Sequence, residues 1–167
     1  MPEDPPNHYI DSTILLDFFL VNALQFLLKL PIRIVTIDIM AEDLETPNLD
    51  QIRKAGVIVL ETPLPILEDM PNTAASYGIT IYDAALLLSA KSQAAVLLSG
   101  DRGLRTAAIK EKVNCRGTLW LLEEMVLGDI IVPGHAALLL ERMFILGRRL
   151  PADESNRRII AWEGGGK

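Results

Sequence analysis

The chain has 167 residues, of which half are hydrophobic and 23% are charged, a composition typical of a globular domain with a large core. Its net charge of −6 is uneven, because residues 1–90 hold 4 Lys/Arg against 13 Asp/Glu, whereas residues 91–167 hold 12 against 9. This balance argues against non-specific binding to duplex DNA, which needs a clear cationic face. The single cysteine, Cys115, excludes an intramolecular disulfide and favours the reducing cytoplasm.

The first part of the chain does not read as a targeting or membrane segment. The opening MPEDPPNHYI has three prolines and no Lys or Arg, so we expect no signal peptide. The apolar run Ile14–Leu30 is interrupted by Asp17, Asn22, Gln25 and Lys29, which a membrane-spanning helix would rarely tolerate. The pattern predicts a buried helix over Leu15–Leu30 and no association with a membrane.

Short apolar runs then alternate with segments of helical period. Buried strands are predicted at His8–Ile10, Ile32–Ile37, Val57–Leu60 and Ala95–Leu98, with an edge strand at Val113–Cys115. Further helices are predicted at Ile66–Tyr77, after Thr80, after Asp101, at Thr118–Leu127, from Pro133 to Gly147, and from Pro151 through Ala161. This order predicts an α/β fold with three layers (α-β-α) and a central, mostly parallel sheet of four to five strands. We expect one domain over 8–163, a disordered segment at 1–7 and a flexible tail at 164–167.

Acidic residues follow three of the predicted strands. Asp11 comes directly after the first strand, Glu42 and Asp43 come shortly after the second, and Asp101 follows Ala95–Leu98. Because the carboxyl ends of parallel strands meet at one edge of a sheet, we expect these acids to converge there. A fourth acid, Asp83, lies at the start of a helix and can reach the same edge.

Each acid also has a purely structural explanation. Asp11 and Asp101 precede helices, where Asp is a favoured N-cap, and Thr80 with Asp83 resembles a capping box. Glu42 and Asp43 fit a solvated helix start. The convergence favours a common site, and clustered carboxylates repel one another unless a cation lies between them. Hard oxygen ligands suit Mg²⁺ or Mn²⁺, so the cluster predicts a metal site.

With these acids, the sequence resembles the PIN-domain family, in particular its prokaryotic, VapC-like toxin and ribonuclease type. The resemblance rests on segments that each carry one acid, namely Ile10–Leu15, Ile39–Leu44, Ile81–Leu86 and Leu97–Asp101. The stretches Arg116–Leu122 and Gly147–Pro151 are also similar to prokaryotic members. The resemblance covers roughly residues 8 to 160.

The resemblance implies a PIN-like fold and a Mg²⁺- or Mn²⁺-dependent endoribonuclease that cuts single-stranded RNA. It also implies a cytoplasmic protein, and its partners would be the RNA, a cognate antitoxin protein and a second copy of the chain in a homodimer. The catalytic and metal-binding residues would be Asp11, Glu42, Asp83 and Asp101. Thr13 and Ser99 would orient those carboxylates, and Arg102 and Arg105 would contact the RNA backbone.

Two features depart from the family pattern. The second acid is ambiguous because Glu42 and Asp43 are adjacent, although the spacing from Ile39 favours Glu42. Many toxin-type members carry another Asp two residues after the fourth acid, where this chain has Gly103. This difference places a second metal site in doubt more than the first.

Two other classes of protein compete with the nuclease. One is a catalytically degenerate PIN-fold module that binds or regulates a partner, and loss of metal binding would distinguish it. The other is an α/β protein that uses an acid cluster for phosphate chemistry. A phosphatase of the Asp-x-Asp type needs an acid where this chain has Thr13, and a receiver domain needs a Lys after a late strand, whereas Lys110 lies in a predicted helix.

Overall fold

The structure is a computed structural model that describes residues 3–165. Its centre is a sheet of parallel strands in the order β3-β2-β1-β4-β5. The predicted three-layer α/β fold is therefore confirmed, with five strands, all parallel, in the part of the chain described. The strands are β1 (Asn7–Ile10), β2 (Arg33–Ile37), β3 (Ile58–Leu60), β4 (Val96–Leu98) and β5 (Cys115–Arg116).

Helices cover both faces of the sheet. Successive strand residues point to opposite faces, so Ile10 and Leu98 pack into one apolar core while Tyr9 and Leu97 pack into the other. The helices are α1 (Ser12–Leu20), α2 (Leu24–Leu27), α3 (Asp38–Asp43), α4 (Leu49–Ala55), α5 (Leu64–Tyr77), α6 (Ile81–Ser92), α7 (Arg102–Lys110), α8 (Thr118–Leu127), α9 (Pro133–Ile145) and α10 (Ala152–Gly164). Core residues of α1, α8 and α9 lie on the first face, and those of α6 and α7 lie on the second.

Strand β1 is the point at which the strand order changes direction. It pairs with β2 on one side and with β4 on the other, and Ile10 lies opposite Leu98. The chain therefore leaves β1 and β4 at adjacent positions on the same edge of the sheet. In open parallel sheets this place is a crevice between connections that run to opposite faces, and ligands bind there.

The predicted helix over Leu15–Leu30 is wrong in one respect, because the segment forms two helices. The backbone of Asn22 has a φ of 55°, which no α-helix contains, and it separates α1 from α2. The apolar pattern hid this break, since residues on both sides of it are buried in the same core, among them Phe18 and Leu27.

The segment after β2 also differs from the prediction. Helix α3 begins at Asp38, directly after the strand, so Glu42 and Asp43 lie in its last turn and not at its start. Oδ1 of Asp38 accepts hydrogen bonds from the Thr62 amide and hydroxyl at 3.0 and 2.6 Å, which ties α3 to the chain beyond β3. The acid nearest the end of β2 is thus used to hold the fold together.

At the ends of the chain, Asn7 is the first residue of β1 and α10 runs to Gly164, beyond the predicted end at Ala161. The predicted disordered segment 1–7 and flexible tail 164–167 lie partly outside the described residues. Within residues 3–165, every helix is too short or too polar to cross a lipid bilayer.

Candidate active site

Asp11 lies at the centre of the edge formed by β1 and β4. Its side chain is fully buried and caps α1, since Oδ1 accepts hydrogen bonds from the Ile14 amide at 3.0 Å and from the Thr13 hydroxyl at 2.7 Å. Oδ2 accepts a hydrogen bond from the hydroxyl of Ser99, which follows β4. The backbone amide of Asp11 donates to the Leu98 carbonyl at 2.9 Å. The carboxylate is therefore fixed by groups from the start of α1 and from the turn after β4.

Asp101 is held in the same network. The Ser99 hydroxyl oxygen accepts the Asp101 amide at 3.0 Å, and Oδ1 of Asp101 accepts the Leu104 amide at 2.8 Å, which caps α7. The Gly100 amide donates to Oγ1 of Thr13 at 2.9 Å. A Cβ at position 100 would lie 3.2 Å from that oxygen, so glycine allows this close approach. The turn after β4 is thus tied directly to the start of α1.

Asp83 completes a group of three neighbouring acids. Thr80 caps α6 by accepting the Asp83 amide at 3.0 Å, as the capping prediction required. Burial raises the pKa of Asp83, and the charge of Asp101 raises it further, while hydrogen bonds with Thr80 lower it. Burial raises the pKa of Asp11 to about 6, against hydrogen bonds from Ser99, Ile14 and Thr13 that lower it, and the charge of Asp83 adds to the rise. The charge of Asp101 therefore disfavours ionisation of Asp83, and the charge of Asp83 disfavours ionisation of Asp11.

The second predicted acid stands apart from these three. Glu42 and Asp43 are exposed on the last turn of α3, and they line a shallow depression of about 360 Å³ with Tyr82. The Tyr82 hydroxyl donates to Oδ1 of Asp43 at 3.1 Å, so Asp43 is engaged and Glu42 is the freer of the two. Tyr82 precedes Asp83 in α6, so its hydrogen bond to Asp43 links the end of α3 to the helix that carries Asp83, and Glu42 shares none of the hydrogen bonds of the three acids.

The chemistry of the acids fits a hard divalent cation. Their charges repel, two of their pKa values are raised, and a cation would remove both effects. Among residues 3–165, no group of three or more Asp, Glu, His or Cys side chains is arranged so that it could hold a metal ion. Gly103 leaves the space beside Asp101 without a side chain, and a Cβ there would lie 3.3 Å from Oδ1 of Asp101.

An arginine-lined cleft begins at Asp101. It has a volume of about 950 Å³ and lies between the start of α1, helix α7 and the chain segment 147–151. A second cleft of about 360 Å³ shares Arg105 and Arg149 with it, and adds Arg116 and Arg158. The arginines that line the larger cleft are Arg102, Arg105, Arg148 and Arg149. The two predicted RNA contacts, Arg102 and Arg105, thus lie in a larger cationic surface.

Sequence reasoning missed a buried ion pair behind this cleft. Asp17 of α1 is buried, and its side chain accepts hydrogen bonds from Nε of Arg148 and from the Thr118 hydroxyl, the latter at 2.8 Å. Burial raises the pKa of Asp17, and those hydrogen bonds lower it. The signal was present, since an acid within an apolar helix needs a partner, but the sequence does not say which of the arginines supplies it.

A five-stranded parallel sheet with buried, neighbouring acids at its switch point places the protein in the class of open α/β folds. Residues 9–163 match the family model DUF3368, a PIN domain, and the chain therefore belongs to the PIN-domain family. PIN domains are in general nucleases, and the predicted membership of the family is confirmed.

Among solved structures, the chain is similar to the crystal structure of PAE2754 from Pyrobaculum aerophilum. The two are 16% identical with a TM-score of 0.54, over 72% of this chain and 96% of that chain. At this identity the similarity concerns the fold alone. No curated protein matches the chain.

Proposed function

We propose that this protein is a divalent-metal-dependent endoribonuclease that cuts phosphodiester bonds in single-stranded RNA. The observation that carries the proposal is that Asp101 lines an arginine-lined cleft, with Asp11 buried behind it and joined to it through Ser99, and with Asp83 close enough to feel its charge. Carboxylates alone would repel a phosphodiester, whereas the arginines attract it. The two kinds of charge side by side are what metal-assisted cleavage of a nucleic acid requires.

The residues that would hold Mg²⁺ or Mn²⁺ are Asp11, Asp83 and Asp101, with Glu42 joining them from α3. A bound cation would supply a Lewis acid that lowers the pKa of water and offsets charge on the phosphate. Thr13 and Ser99 hold the Asp11 carboxylate by hydrogen bonds, so that it keeps one orientation.

The cleft suits a flexible single strand. Arg102 and Arg149 are exposed beside Asp101, and they can reach phosphate oxygens on either side of the bond that is cut. Arg105 is tied to the Ser99 carbonyl by Nη1 at 3.0 Å, so its guanidinium is held close to the acids. A single strand can bend its backbone into such a cleft, whereas a duplex is stiff and offers only its outer surface.

The resemblance to VapC-like proteins supports a role as the toxin of a cytoplasmic toxin–antitoxin pair. A cognate antitoxin or a second copy of the chain would need an apolar surface. Leu138 and Ile145 of α9 are 46% and 83% exposed and, at a spacing of seven residues, lie on one face of that helix. This face supports a homodimer or an antitoxin contact.

One observation favours a second candidate function, a PIN-fold binding module without catalytic activity. Within residues 3–165, no group of three or more Asp, Glu, His or Cys side chains is arranged so that it could hold a metal ion, and Gly103 adds no ligand. Such a module would retain the fold and the cleft and would bind RNA or a protein without cutting it. Binding of a divalent cation distinguishes the two candidates.

The test measures cleavage of a fluorescent single-stranded RNA while Mn²⁺ or Mg²⁺ is titrated. Wild type is compared with Asp101→Asn and with a control, Asp153→Asn, an exposed acid in the first turn of α10. We expect cation-dependent cleavage by wild type and by the control, and a loss on the order of 100-fold or more in Asp101→Asn.

Three other results would count against the proposal. Cleavage that persists in EDTA contradicts the metal dependence. Equal cleavage by Asp101→Asn and the control places the chemistry elsewhere. Absence of cation binding in wild type at millimolar concentration favours the binding module.

A further inference from the structure

Arg148 reaches the candidate site from a distant part of the chain. Its Nε donates to Asp17, and its Nη2 donates to the backbone carbonyl of Thr13 at 3.2 Å. The turn that directs Arg148 toward α1 starts at Gly147, whose φ is 78°, and the Arg148 amide donates to the Met143 carbonyl at 2.9 Å. The end of α9 is therefore built so that the next side chain points back to α1.

Thr13 links this contact to the acids. Its Oγ1 donates to Asp11 and accepts the Gly100 amide, so one hydroxyl joins the end of β1 to the turn after β4. The hydroxyl can make both hydrogen bonds only if the backbone of Thr13 stays in place. Arg148 bonds the carbonyl of that same residue.

We propose that Arg148 is a positioning residue of the active site. Through Thr13 it fixes the distance between Asp11 and the Ser99–Asp101 turn. Although Arg148 lines the cleft, its guanidinium is bonded to Asp17 and Thr13, so its role is to position these groups and not to bind substrate or cation. Its effect on turnover rests on the proposed function, whereas its effect on Thr13 can be measured without any substrate.

A guanidinium is needed for this role because the two acceptors lie in different directions. Asp17 requires a cation, since an unpaired buried carboxylate is costly, and a lysine could supply that charge. The planar fork of arginine donates from separate nitrogens to Asp17 and to the Thr13 carbonyl, which one ammonium group at the same place does not match. The Arg148→Lys variant therefore keeps a positive charge near Asp17 but lacks the second hydrogen bond that holds the Thr13 carbonyl.

The experiment compares Arg148→Lys and the double variant Asp17→Asn/Arg148→Gln with wild type. The double variant removes both charges, so it leaves no unpaired charge in the interior and folds even where a single change does not. The control is Arg149→Gln, which changes the exposed neighbour in the same segment. The readouts are amide hydrogen exchange at Gly100 by NMR, and kcat and KM for single-stranded RNA with Mn²⁺, with thermal unfolding to verify the fold.

We expect exchange at Gly100 to become about tenfold faster in Arg148→Lys and in the double variant, and to stay unchanged in the control. We also expect kcat to fall about tenfold in these two variants while KM stays within about twofold, because no substrate contact is lost. In Arg149→Gln, by contrast, the effect should be on KM.

Wild-type exchange at Gly100 in the folded double variant would overturn the proposal, because Arg148 would then only neutralise Asp17. Wild-type values of both the Gly100 exchange rate and kcat in Arg148→Lys would overturn it as well. If wild type cleaves no RNA, the proposed function fails, and exchange at Gly100 alone decides the role of Arg148.

Discussion

The two sides of the acid group are built in different ways. On the side of β1 and β4, Asp11 and Asp101 are joined through Ser99, and the Thr13 hydroxyl bridges the same two strand ends. On the side of α3, Glu42 is exposed and shares none of these bonds. One side is held in place by hydrogen bonds, and the other is open to solvent. Acids that look equivalent in sequence therefore stand in different surroundings in the fold.

The largest expected effect tests this difference directly. We expect Asp83→Asn to lower kcat/KM for single-stranded RNA on the order of 100-fold, because this acid lies in the coupled group. Glu42→Gln should lower it only about tenfold, since water can replace an exposed ligand, and Asp43→Asn should have little effect. Steady-state kinetics and calorimetric titration with Mn²⁺ measure both. Equal losses in Asp83→Asn and Glu42→Gln would show that the two sides act as one rigid site.

The second effect is on stability as a function of pH. The folded state raises the pKa of Asp11 from 3.8 to about 6, so it binds more protons than the unfolded state between these values. The free energy of unfolding of the metal-free protein should therefore fall as pH rises through this window, by up to roughly 3 kcal/mol from Asp11 alone. Asp83 shifts in the same direction and should add to the fall.

Urea unfolding in EDTA at intervals from pH 4 to pH 7 measures this dependence, with Asp11→Asn as the control. The difference between wild type and Asp11→Asn isolates the contribution of the one carboxyl group. If the free energy of unfolding changed with pH equally in wild type and in Asp11→Asn, ionisation of Asp11 would not destabilise the folded state. Saturating Mn²⁺ should reduce the fall in wild type, since a cation favours the ionised form.

The smallest expected effect concerns the turn that carries Arg148. Gly147 has a φ of 78° and open space where a Cβ would stand, so Gly147→Ala should cost about 1 kcal/mol through the backbone alone. Gly134 lies in the first turn of α9, the helix that precedes Gly147. It also has open space where a Cβ would stand, but its φ is not positive, so Gly134→Ala should be neutral or slightly stabilising. Chemical denaturation measures both variants. A loss of the same size at Gly134 would mean that the cost does not come from the left-handed backbone.

Much of the fold could be predicted because its strands are short apolar runs that end in polar residues. Ile10 and Leu98 are followed by Asp11 and Ser99, and the rule for parallel sheets predicts that both lie at one edge, as they do. The caps at Asp11, Thr80 and Asp101 were recognisable for the same local reason, since each precedes a run of helical period.

What could not be predicted depends on contacts between distant residues or on single backbone angles. The positive φ at Asn22 splits a continuous apolar pattern, and nothing in the neighbouring residues marks it. Asp38 directly follows β2, but its partner Thr62 lies 24 positions further on, so its structural role was hidden. The same holds for Asp17 and Arg148, whose pairing depends on the direction of the turn at Gly147 after α9.

The positions of these contacts along the chain have a consequence for how the protein is made. Asp11 meets Ser99 across 88 positions, and Asp17 meets Arg148 across 131. During synthesis, Asp11 and Thr13 leave the ribosome early. Arg148 can follow only after α9 has been synthesised. The acid group cannot assemble on a chain that stops before β4, and Thr13 is not anchored until the end of α9 has emerged. The hydrogen-bond network that joins Asp11, Thr13 and Arg148 is therefore complete only near the end of synthesis.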